Sequence, residues 1–209
     1  MKLQLALDLL DEGRAMEVVR SVGGYFDVIE VGTSLLKLGG IGIIPRIKAL
    51  CPDKTVFVDT KVLDGPEREA TLMCASGTDF FSMLGCATDT AVAKVLGVAK
   101  ARGVKVVFDL QSVDDYRQRS RRLKELGAEY LCVHKNTACG EDLLGSFQEF
   151  LEIKRLTGLP IFLAGGITAA TLPEIKKVLD PYCAIIGGAI LDAGNLAETA
   201  ARFRELADG

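Results

Sequence analysis

Eight short β-prone runs, each almost wholly apolar, are spread along this chain with a longer amphipathic segment after every one. The runs cover residues 3–7, 26–31, 55–58, 80–84, 104–108, 130–133, 161–163 and 183–186. A strand with one solvated face alternates apolar and polar residues. A strand that is apolar throughout must be covered on both faces, which is the condition of a parallel sheet packed against helices. The intervening segments carry helical periodicity over 14–22, 43–50, 67–75, 89–101, 113–126, 141–156, 171–179 and 196–206. Gly77, Gly103, Gly127 and Gly158 stand just beyond four of them, where a residue tolerant of left-handed backbone stops a helix. Strand–helix units repeating at about 25 residues leave little else in the chain, so the expected architecture is a (β/α)8 TIM barrel of the α/β class. An open doubly wound sheet is the alternative. No linker or change of composition interrupts residues 1–209, which predicts a single domain.

Composition narrows the function. Apolar residues are 49% of the chain, enough for a sizeable core, and the net charge is −3. Arg117, Arg119, Arg121 and Arg122 form the densest basic run, but Asp114, Asp115 and Glu125 share their helix. That is a solvated helix face and gives no reason to expect a nucleic-acid partner. The six cysteines are scattered without a Cys-x-x-Cys pair, which fits free thiols in a reducing compartment better than disulfides or zinc. Acids appear early in the N-terminal segment, and no apolar run is long enough to span a bilayer. A cytoplasmic protein without membrane association is expected.

In a barrel, function collects where strands end and βα loops begin. The polar residues at those places are Asp8, Glu30, Thr33, Asp59, Lys61, Asp64, Asp109 and His134. The stretch Asp59-x-Lys61-x-x-Asp64 puts opposite charges after the third strand. One acid could ligate a hard cation and the lysine could stabilise an oxyanion; a surface ion pair is the plain alternative. His134 is the only histidine, and its position at a strand end favours acid–base work over a structural role. Asp109 could orient it, share in proton transfer, or be a structural carboxylate. Asp8 has a larger structural component as a loop-capping acid. Gly165–Gly166 and Gly187–Gly188 follow strands 7 and 8, where backbone amides in this architecture commonly cradle a phosphate. The same glycines would also make tight turns.

In this order and spacing, LQLALD, VIEVGT, VDTKVLDG, MLGCATD, LCVH, LAGGI and IIGGAI make the chain resemble the orotidine-5′-phosphate decarboxylase suprafamily over nearly its whole length. Within it, the resemblance is greatest to the 3-hexulose-6-phosphate synthases, with the 3-keto-L-gulonate-6-phosphate decarboxylases as near relatives. The resemblance implies magnesium held by Glu30 and Asp59, and an enediolate stabilised by Lys61. It implies proton handling by His134 and Asp109, and a phosphate site that includes Gly166, Gly187 and Gly188. It also implies a homodimer with shared active sites, Asp64 entering the neighbouring subunit's site. Asp8 and Thr33 are expected to touch the sugar phosphate. The implied reaction is a magnesium-dependent aldol condensation of ribulose 5-phosphate with formaldehyde, with keto-gulonate-phosphate decarboxylation as the alternative. A non-catalytic sugar-phosphate-binding protein is a more distant one, and a pentose-phosphate 3-epimerase fits poorly because its metal site resembles one with several histidines. Departures fall where specificity is set. Lys135-Asn136-Thr137 replaces the Thr-Gly that follows the histidine in the synthases, with Ala138-Cys139-Gly140 a shortened loop. Pro66 follows the Asp-Gly turn, and the decarboxylases' two arginines, one in this loop and one at the second glycine after strand 8, are absent.

Overall fold

The computed structural model describes residues 1–135 and 146–209. Eight parallel strands close a barrel in sequence order, the first pairing with the last. They are β1 (Lys2–Leu7), β2 (Val28–Val31), β3 (Thr55–Val62), β4 (Phe80–Leu84), β5 (Lys105–Asp109), β6 (Tyr130–His134), β7 (Ile161–Ala164) and β8 (Cys183–Ile186). The outer layer holds α1 (Glu12–Val22), α2 (Thr33–Gly39), α3 (Ile43–Leu50), α4 (Pro66–Ala75) and α5 (Asp89–Arg102). It continues with α6 (Tyr116–Glu125), α7 (Ser146–Thr157), α8 (Leu172–Val178), α9 (Gly188–Leu191) and α10 (Leu196–Asp208). The expected (β/α)8 barrel is the observed fold.

Two packed layers account for the apolar strands. Residues facing outward, such as Leu3, Leu5, Ile29, Val58, Phe81, Phe108 and Val133, meet the helices in one large core. The alternate positions Val28, Phe57, Val107, Cys132, Phe162 and Cys183 fill the barrel interior. Each aliphatic or phenyl side chain so buried contributes about 1.5–3 kcal/mol. Among and beside them, Phe57, Phe80, Tyr130, Phe162 and Tyr182 pack in stacked, tilted and edge-to-face pairs with centroids 5.2–6.4 Å apart and plug the N-terminal end. Among the described residues the C-terminal end is left open.

Several boundaries differ from the sequence reading. Asp59 and Lys61 lie on β3 itself, which continues to Val62. Two short helices, α2 and α9, were not anticipated, because each follows a glycine and is too short to show a period. Helix α6 begins at Tyr116, where the Asp115 side chain accepts from Gln118 N, rather than at 113. The start of the helix expected at 141, and the altered loop 136–140, lie outside the described residues. Among the described residues no helix is long and apolar enough to cross a membrane.

Candidate active site

The open end of the barrel holds a cavity of about 530 Å³. Alternation along each strand decides what lines it: the inward positions are apolar in the lower layer and polar in the last one. Asp8, Glu30, Asp59, Lys61, Asp109 and His134 all line it, with Gly166, Gly187 and Gly188 on its β7–β8 side. The structure thus brings together nine of the eleven residues singled out in the sequence. The other two lie outside the lining. Thr33 sits behind Asp59, its hydroxyl 2.8 Å from the Asp59 carbonyl oxygen and 2.7 Å from Oδ2. Asp64 is exposed on the turn after β3.

A distortion in β3 aims the central charges. Val58 pairs with Phe81 and Val62 with Met83, so four steps along β3 match two along β4. The surplus is absorbed partly at Lys61, whose φ of +48° is in the left-handed region. A non-glycine residue held there costs energy and persists only where its surroundings fix it. Ser82 does so: its Oγ accepts from Lys61 N at 2.9 Å and donates to Asp59 Oδ1 at 2.6 Å. Ser82 and the buried Gln4, whose Nε2 donates to Glu30 Oε2 at 2.6 Å, were missed in the sequence because each is a single polar residue inside an apolar run.

Asp109 is the hub. Its Oδ2 accepts from Lys61 Nζ at 2.9 Å and lies 3.1 Å from His134 Nδ1, while Oδ1 accepts from Gln111 N at 2.9 Å. Burial alone would raise its carboxyl, but the His134 hydrogen bond and the Lys61 charge outweigh that and bring it down to about 2. An ionised carboxylate only accepts hydrogen bonds. The proton of neutral His134 therefore belongs on Nδ1, which leaves the Nε2 lone pair for chemistry. Burial likewise opposes the charge on Lys61, but Asp109 and Asp59 prevail and its ammonium is held well above the ordinary lysine range. Lys61 is a permanent cation rather than a base.

The acids opposite behave differently. Burial, then the charges of Asp59 and Asp8, push Glu30 well above the usual carboxylate range. Desolvation, then Asp59, raises Asp8 at the rim. Among the described residues no three His, Cys, Asp or Glu side chains form a ready-made metal cage. Magnesium does not require one, since it is commonly held by one or two carboxylates with water and substrate oxygens completing its shell. A buried carboxylate beside a second one is a donor set suited to a hard divalent cation, so Glu30 and Asp59 fit the ion.

The glycines divide by purpose. A side chain at Gly165, where φ is +106°, would collide with the Lys135 carbonyl. Gly165 is thus needed for packing, and Gly166 shares its positive φ. A Cβ on Gly187 would instead meet Ala6 and Asp8 at ordinary distances of 3.6–3.7 Å. Nothing in the packing demands glycine there, so its bareness serves the cavity.

The sequence model described as orotidine 5′-phosphate decarboxylase / HUMPS family matches residues 1–203. The chain is 35% identical to a 3-hexulose-6-phosphate synthase of Mycobacterium gastri, with 98% of each chain covered. It is 33% identical to one from Bacillus subtilis, covering 99% of this chain and 98% of that one. A solved 3-hexulose-6-phosphate synthase from Salmonella typhimurium superposes with a TM-score of 0.93 at 35% identity, over 99% of this chain and 98% of that one. A barrel of matching order, a polar last layer of the expected composition and identity along nearly the whole chain agree: the chain belongs to the orotidine 5′-phosphate decarboxylase / HUMPS family.

Proposed function

We propose that this chain is an aldol enzyme that condenses ribulose 5-phosphate with formaldehyde to hex-3-ulose 6-phosphate through a 1,2-enediolate. The carbon–carbon lyase class follows from relatives named 3-hexulose-6-phosphate synthase. The observation that carries the mechanism is the sharing of Asp109 Oδ2 by Lys61 and His134. It fixes a base and a cation side by side in one cavity.

His134 Nε2 removes the C1 proton of ribulose 5-phosphate, and the electron pair moves toward the C2 oxygen. The Lys61 ammonium lies ready for the negative charge that develops there. C1 of the enediolate then attacks the carbonyl carbon of formaldehyde, and the imidazolium returns its proton to the aldehyde oxygen. Asp109 stays ionised throughout and keeps the imidazole in its working tautomer, so we assign it to orientation rather than proton transfer. Glu30 and Asp59 would hold a divalent cation, magnesium by its hardness, which when bound would supply further positive charge to stabilise the developing anion. Asp8 faces the sugar, and Gly166, Gly187 and Gly188 leave room for the phosphate. Thr33 acts through Asp59 rather than on substrate.

We also propose a homodimer in which Asp64 completes the neighbouring subunit's site. Asp64 is exposed and outside its own cavity's lining. Large apolar Leu63 beside it in sequence is exposed, as are Leu38 on α2, Ile41 just after that helix and Leu72 on α4. The cysteines described are free, which supports a cytoplasmic setting.

The test is turnover of ribulose 5-phosphate with and without formaldehyde and magnesium, alongside 3-keto-gulonate 6-phosphate. Consumption requiring formaldehyde is expected. Carbon dioxide release from the keto-gulonate phosphate would move the chain to the decarboxylases.

A further inference from the structure

Gln4 is fully buried in β1 and does not line the cavity. Its register partner is Val28, while Ala6 pairs with Glu30, so Gln4 lies one layer below the carboxylates. A buried carboxamide needs partners for both ends, because an unsatisfied polar group is costly. Cys183 Sγ, from β8 on the other side of β1, donates to Gln4 Oε1 at 3.9 Å. Nε2 donates to Glu30 Oε2 at 2.6 Å. The two contacts fix the amide's orientation. A thiol can supply the proton that Oε1 accepts, whereas a flipped amide would set its oxygen against the ionised carboxylate that a cation requires. The result is a directional relay across three adjacent strands, Cys183 to Gln4 to Glu30, that ends on one carboxylate oxygen from beneath.

We propose that Gln4 is the positioning residue for cation binding: it ties down one oxygen of Glu30 so that the carboxylate is preset to bind a divalent cation at the mouth. This rests on the reading that Glu30 and Asp59 hold the ion. Groups behind a metal ligand set its orientation, and their loss commonly weakens metal affinity by about 10–100-fold. A purely structural Gln4 would affect stability and leave metal affinity alone. Methionine is close to glutamine in length and has no N–H to donate, so Gln4→Met removes the bond with little change of volume.

The experiment is direct titration of the protein with Mn²⁺, following free ion by electron paramagnetic resonance without substrate. Wild type, Gln4→Met, Cys183→Ala and Glu30→Gln are compared. A rise in Kd of about 10-fold or more is expected for Gln4→Met, with the far-ultraviolet dichroism of wild type. Cys183→Ala, which only frees the amide to swing, should show a smaller rise in the same direction. If Gln4→Met does not fold, the Cys183→Ala titration decides. Wild-type Kd in the folded variants would overturn the role of Gln4 while leaving the metal site standing. Failure of wild type to bind Mn²⁺ more tightly than Glu30→Gln would instead remove the metal reading, and this inference with it.

Discussion

Asp109 Oδ2 lies 3.1 Å from His134 Nδ1 and belongs to a carboxyl held at about 2. The acid is therefore an acceptor for the Nδ1 proton, so that the neutral imidazole carries its lone pair on Nε2. Asp109→Asn can present an N–H to the ring and trap the wrong tautomer. Exchange of the C1 proton of ribulose 5-phosphate with deuterated water should slow by about 10²–10⁴-fold. His134→Ala should show a loss of about the same range. If exchange is unchanged in folded His134→Ala, the base is another group.

Glu30 offers a pH test. Its folded value stands well above the ordinary 4.5, so the folded protein binds this proton more tightly than the unfolded chain does. The associated stability is complete below pH 4.5 and is lost as pH rises through the folded value. With chelator present, Glu30→Gln should melt above wild type near pH 8, by at least about 2 °C for each kcal/mol relieved. That advantage should vanish near pH 4.5. Added magnesium should raise the wild-type Tm and leave that of Glu30→Gln unmoved. Scanning fluorimetry across this range reads both effects, and equal melting curves at all pH values would refute the raised Glu30.

The two glycine pairs should fail in different ways. Gly165→Ala forces a methyl into the Lys135 carbonyl at positive φ, and a loss of about 1–3 kcal/mol is expected in denaturant unfolding. Gly187→Ala meets only ordinary contacts. It should keep wild-type stability but raise KM for ribulose 5-phosphate more than it lowers kcat. A normal KM would make Gly187 a turn residue only.

Shared sites have a complementation signature. Lys61→Ala and Asp64→Ala should each be nearly inactive as homodimers. After mixing and subunit exchange, about half the dimers are mixed, and each contains one site with both defects and one with neither. Activity should recover to roughly 25% of wild type. No recovery despite demonstrated exchange would leave Asp64 a local loop residue.

Removing the cation should abolish turnover, and Asp59→Asn should lower kcat/KM by at least about 10²-fold. Full activity in excess chelator would falsify the metal requirement.

The amino-acid sequence alone determined a parallel sheet layered with helices, because strands buried on both faces must be apolar at every position, and that pattern is local; closure into a barrel is shown by the pairing of β1 with β8. It also showed the acids, Lys61 and His134, since a charge at the end of an apolar run stands out without knowledge of its neighbours. Tertiary structure decided the rest. β3 does not end at residue 58, and only pairing of Val62 with Met83 reveals it. Ser82 and Gln4 look like lone interruptions of apolar strands. Each acquires its purpose from a residue more than 20 positions away, Ser82 from Asp59 and Lys61, Gln4 from Glu30. Thr33 was legible as polar but not as the partner of Asp59. Periodicity reports which face of a strand a residue occupies. Which groups then share that interior, and so shift one another's charge, is set by the register of strands that meet only when the barrel closes.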